Sequence, residues 1–146
     1  MTDRTLITPG ELLAAGLIAP GDLCDVSDVA ERYAIALTPA VAALIDRDDP
    51  DDPIAAQYVP TGGELVHTAD ESADPIGDHA HSPVEGIVHR YPDRVLLKAV
   101  HICPVYCRFC FRREMVGPKG DGTLSPNCLK RPSATSTITR RSGRSF

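Results

Sequence analysis

Apolar positions recur at helical spacing in three places along the first third of the chain. Residues 8–19 open on Thr8-Pro9 and carry Leu12, Leu13, Leu17 and Ile18, so a threonine cap and a first-turn proline predict a short amphipathic helix. Ser27–Tyr33 predicts a second helix, and Thr38–Ile45, again opening on Thr-Pro, a third. From Asp48 to Pro83 the periodicity fades. The run Asp48-Asp-Pro-Asp-Asp-Pro53 cannot propagate a helix, and the Pro-, Gly-, Asp- and His-rich stretch beyond it predicts an extended, mostly irregular segment. Val95–Ile102 is apolar and rich in β-branched residues, which predicts a buried parallel strand. A cysteine-bearing loop follows from its C-terminal end, the end at which barrels of alternating strands and helices place their active sites. The pattern as a whole reads as α/β.

That loop carries Cys103-Pro-Val-Tyr-Cys107-Arg-Phe-Cys110, a CxxxCxxC triplet. Three thiolates at this spacing suit the protein ligands of a [4Fe–4S] cluster, and three rather than four leaves one iron open to a small molecule. A single zinc ion completed by His101 is the alternative, although zinc motifs usually come as paired sets and no second pair is present. Unliganded thiols are the third possibility. Cys24 and Cys128 show no partner spacing. An odd count of five cysteines and the lack of a secretory leader favour a reducing cytoplasm over a disulfide framework.

The flanks extend the pattern. CxxxCx(aromatic)C, with Phe109 as the aromatic, resembles the signature of the radical S-adenosylmethionine (SAM) superfamily. Asp74-Pro-Ile-Gly-Asp78, His81-Ser-Pro83, His89-Arg-Tyr-Pro-Asp-Arg-Val-Leu-Leu97 and Cys110-Phe-Arg-Arg-Glu114, in that order, resemble the lysine 2,3-aminomutase family. The resemblance covers roughly residues 50–126 and implies a [4Fe–4S] cluster, SAM and pyridoxal 5′-phosphate (PLP) as cofactors. It implies an isomerase that moves an amino group between adjacent carbons of an amino acid, with an external electron donor and an oligomeric full-length protein. Carried over residue by residue, it implies that Cys103, Cys107 and Cys110 hold the cluster and that Phe109 lies near the adenine of SAM. Arg94 would bind the PLP phosphate, for which a planar multi-donor guanidinium is suited. Tyr91 would pack on the PLP ring, and Arg112 would meet the substrate carboxylate. Taken singly, Arg94 also reads as a strand-end charge, Tyr91 as a turn aromatic and Arg112 as a helix-end cation.

Periodicity and composition divide the chain into an N-terminal helical region (1–47), the irregular segment (48–88), a segment 89–126 that the resemblance implies is the start of a partial radical SAM (β/α) barrel, and a tail (127–146). Residues 1–126 carry a net charge of −10, whereas the tail carries +5 and no acid. A disordered basic tail, a nucleic-acid arm and an out-of-frame translation product compete to explain it. Permissible codons for Ala134–Phe146, read one nucleotide earlier, give a string similar to the family's next helix and strand. The expectation is therefore a frameshifted, truncated aminomutase, lacking the family's Schiff-base lysine and inactive alone. A small non-catalytic zinc- or iron-binding module is the alternative. With 42% apolar residues, a net charge of −5 and no tail aromatics interleaved for base stacking, neither a nucleic-acid nor a membrane partner is expected.

Overall fold

The computed structural model describes residues 3–117, so the charge-switched tail lies outside the described residues. Helix α1 spans Pro9–Ala14. It starts where Thr8-Pro9 predicts, because the Thr8 hydroxyl accepts from the Glu11 amide at 3.2 Å while the Glu11 carboxylate accepts from the Thr8 and Ile7 amides at 3.0 and 2.8 Å. It stops sooner than the apolar pattern predicts. Gly16 takes φ 68°, and the Gly16 and Leu17 amides turn back to the Leu13 and Leu12 carbonyls, a glycine-terminated cap. Helix α2 runs Leu23–Arg32, starting before Ser27, and α3 is the single turn Pro39–Ala42 capped by Thr38.

These helices close over Leu6, Leu12, Val26, Ile35, Leu37, Ala42 and Val59. Leu6 and Leu37 pair through both backbone bonds, at 2.8 and 2.9 Å, which ties the start of the chain to the segment after α2.

The segment after Asp48 holds more order than its sequence predicts. Helix α4 spans Pro53–Tyr58, with the buried Asp52 carboxylate accepting from the Ala55 amide at 2.6 Å. The Asp-Pro pair read as a helix breaker is here a helix start: proline at the first helical position gives up only an amide that has no partner there. Short 3₁₀ turns follow at Gly62–Leu65 and His79–His81.

Strands β1 (Ile87–Tyr91) and β2 (Arg94–Leu97) form an antiparallel hairpin, with Ile87 opposite Leu97 and Tyr91 opposite Arg94. This corrects the expected buried parallel strand over 95–102. The strand ends at Leu97, pairs antiparallel and is exposed along its length. Among the described residues no further strand lies beside it, so its apolar side chains gain no covering layer. Few helices and a two-stranded sheet are compatible with part of a domain. Among the described residues, no helix is long and apolar enough to cross a membrane.

Candidate functional site

The cysteine loop has no regular secondary structure from residue 98 to 110, so its shape depends on what it is tied to. Two backbone bonds hold it to the helical region: the Tyr106 amide donates to the Ala36 carbonyl at 3.2 Å, and the Arg108 amide donates to the Gln57 carbonyl at 2.7 Å. The Tyr106 and Arg108 side chains are both buried. The Arg108 guanidinium grips Glu64 through two bonds of 2.9 and 2.7 Å and donates a third, at 2.9 Å, to the Ala34 carbonyl. Further along, the Gly117 amide donates to the His101 carbonyl at 2.8 Å.

With Tyr106 and Arg108 rooted inward, Cys103 and Cys107 stay exposed and Cys110 half-buried, and all three are free thiols. The three line one cavity together with Tyr33, Tyr106 and Arg113. Among the described residues, no three His, Cys, Asp or Glu side chains stand close enough to share one metal ion. A [4Fe–4S] cluster makes a different demand, because each thiolate binds its own iron. Three free soft donors around one cavity supply the donor chemistry of that group. His101, weighed above as a fourth ligand for zinc, has both ring nitrogens buried without a hydrogen-bond partner.

The remaining sequence-predicted residues fall into three places. Phe109 is 76% exposed. Arg112 is tied by its Nε to Asp78 at 2.9 Å and lies over the Phe111 ring at 4.8 Å. Asp78 is 1% exposed and also takes Arg90 at 3.4 Å, while Arg90 reaches the Ile76 carbonyl as well. The motif 74–78 builds this pocket, since Asp74 accepts from the Asp78 and His79 amides at 2.8 and 2.9 Å. These bonds, the one from the His79 amide foremost, hold the Asp74 carboxyl below the usual carboxylate range.

Tyr91 and Arg94 stand together at the hairpin turn, with the guanidinium 5.4 Å from the ring centre. Arg94 is occupied by Asp93 through paired bonds of 3.0 and 2.8 Å. Those bonds hold the Asp93 carboxyl low and push the Arg94 guanidinium up. Neither residue lines the cavity of the three cysteines.

A second cavity adjoins the first and is lined by Cys110, Phe111, Arg113, Arg32, His67 and Glu114 among others. Arg32 donates to His67 at 2.5 Å and to Glu114 at 3.0 Å, and the Tyr33 hydroxyl donates to Glu114 at 2.9 Å. Burial, then the bond to Glu114, pushes the Tyr33 phenol up. Arg108, Glu64, Asp78 and Glu114 were all missed as site residues from sequence. Arg108, Asp78 and Glu114 lie inside motifs quoted above, whereas Glu64 is marked only by its Thr61-x-x-Glu64 capping pattern, which the 3₁₀ turn uses.

No family model matches the chain. Curated relatives do. The chain is 43% identical to L-lysine 2,3-aminomutase of Clostridium subterminale over 96 residues, which is 66% of this chain and 23% of that protein. It is 46% identical to L-lysine 2,3-aminomutase of Acetoanaerobium sticklandii over 83 residues, 57% of this chain and 20% of the relative. Glutamate 2,3-aminomutase of Clostridioides difficile is 36% identical over 92 residues, 63% of this chain and 22% of the relative. The aligned part thus spans about a fifth of the length of these relatives.

Proposed function

We propose that this chain, lysine 2,3-aminomutase-like over 57–66% of its length, carries the cluster-binding part of a radical SAM, PLP-dependent amino-acid 2,3-aminomutase. The observation that carries the reading is the triplet of free cysteines around one cavity, inside a chain with this identity to aminomutases. When bound, the cluster supplies the electron that cleaves SAM and so starts radical chemistry, and PLP supplies the electronic sink for amino-group migration.

The residues of this chain hold and orient. Cys103, Cys107 and Cys110 supply the thiolates. Phe109, unburied beside them, offers a ring face for the adenine of SAM. Arg112 is bonded to Asp78 through Nε alone, which leaves its two Nη groups as a fork for a substrate carboxylate. Tyr91 and Arg94 form a ring-and-cation pair suited to a phosphorylated pyridine, once the phosphate displaces Asp93 from the guanidinium. Tyr91 and Arg94 do not line the cavity of the three cysteines, so turnover by this arrangement alone is not expected.

The test is anaerobic reconstitution with iron and sulfide, followed by EPR of the dithionite-reduced protein with and without SAM. A [4Fe–4S]⁺ signal that changes shape with SAM is expected. Failure to take up a cluster, or a cluster indifferent to SAM, refutes the reading for this chain.

A further inference from the structure

We infer that Glu64 is a positioning residue for the cysteine triplet: through Arg108 it fixes the loop before any cluster arrives. The inference rests on the cluster reading above and goes beyond it, since Glu64 lies 44 residues from Arg108 in sequence and belongs to none of the motifs that carry the resemblance.

The cysteine loop has little internal support. Residues 98–110 have neither a helix nor a strand to set their backbone. Within the triplet one bond links cysteine to cysteine, from the Cys110 amide to the Cys107 carbonyl, at a long 3.3 Å. The relative placement of the thiols therefore comes from outside. Arg108, flanked by Cys107 and Phe109, is the strongest external tie: its side chain is 6% exposed and meets Glu64, 11% exposed, in a two-bond fork.

Such a fork fixes orientation as well as distance, because two parallel bonds between planar groups allow little rotation. Glu64 is in turn held. Its Oε1 accepts from the Thr61 amide at 3.2 Å, closing the capping box of the 3₁₀ turn Gly62–Leu65, and Arg113 approaches at 3.8 Å from the far side of Cys110. One carboxylate thus receives cations from both sides of Cys110. The Ala34 carbonyl completes the seat of Arg108, and the Tyr106 amide bonds to Ala36 in the same segment.

A buried guanidinium that loses its carboxylate must find water or leave, and the loop moves with it. The consequence is specific. Without Glu64 the three thiols remain in the chain but no longer share one cavity, so cluster capture falls while the helical core persists.

The test compares the wild-type chain with Glu64→Gln and Arg108→Lys. The first keeps the shape and one acceptor, and the second keeps the charge without the fork. Backbone hydrogen exchange is followed by mass spectrometry in the metal-free proteins, on peptides covering 104–111 and, as an internal reference, 23–32 in α2. Iron and sulfide per chain are then measured after anaerobic reconstitution.

In both variants, exchange at 104–111 is expected to quicken roughly tenfold or more, the order that follows from losing a charge-assisted hydrogen bond. Protection in α2 should be unchanged and iron loading reduced severalfold. Unchanged exchange in the loop overturns the inference. So does equal loss of protection in α2, which would mark a general destabilisation, and so does a loosened loop that still loads iron like the wild type. If the wild-type chain takes up no cluster, the cluster reading fails instead. The exchange data then still report whether Glu64 holds the loop.

Discussion

Replacing Asp78 by asparagine isolates the charge that holds Arg112 and Arg90. The substitution preserves shape, so no cavity forms, but it removes the negative charge at a position 1% exposed to solvent. The Arg112 bond at 2.9 Å is well formed, and the Arg90 contact at 3.4 Å is weak. A hydrogen bond to a charged group contributes about 1.5–3 kcal/mol, and loss of one partner of a fully buried pair costs about 3–5 kcal/mol. Arg112 is 28% and Arg90 34% exposed, so water recovers part of the loss, and about 2–3 kcal/mol is the expected destabilisation. Urea unfolding followed by far-UV circular dichroism measures it. With a slope of about 1–3 kcal/mol per molar urea, the midpoint should fall by roughly 1–2 M at an unchanged slope. Asp93→Asn is the control, because the exposed Asp93–Arg94 pair should shift nothing measurable. Equal midpoints for Asp78→Asn and Asp93→Asn would refute the reasoning that Asp78 is a structural counter-ion.

Three further outcomes are expected. Cys103→Ser should abolish cluster uptake, read as iron and sulfide per chain, while leaving the far-UV spectrum intact, since the thiol is exposed. Leu12→Ala removes a fully buried side chain from the helical core and should cost about 2–5 kcal/mol in the same urea assay. Asp74 has its folded-state pKa lowered, chiefly by the His79 amide. Its contribution is therefore complete above the unfolded value of about 3.9 and is lost as pH falls through the lowered folded value. Acid titration of stability should show a smaller decline over that window in Asp74→Asn than in the wild type.

What was legible in the sequence was short-range chemistry. Thr8-Pro9 and Thr38-Pro39 state a cap and a first turn in adjacent letters, and both helices begin there. The cysteine triplet is legible for the same reason, since its spacing is its content, and the structure gathers all three around one cavity. Asp52-Pro53 misled because the same two letters serve as breaker and as helix start, and only the Ala55 amide 2.6 Å away decides between them. Val95–Leu97 misled because an apolar, β-branched run reports a strand but not its partner, and the partner here is β1. Glu64 was invisible as a site residue: its link to Arg108 exists only once α2, the 3₁₀ turn and the loop come together.

The pairing of Leu6 with Leu37 closes a ring of roughly thirty residues, and closing a ring of that size forfeits about 3 kcal/mol of chain entropy. That cost is met once, by the core inside the ring, and the segment Ala34–Leu37 is left with one edge fastened to Leu6. Its other carbonyls, at Ala34 and Ala36, are the ones that Arg108 and Tyr106 use. The opening residues of the chain are therefore no dispensable lead-in. Clipping them would open the ring and slacken the segment from which the cysteine loop hangs, a hundred residues further on.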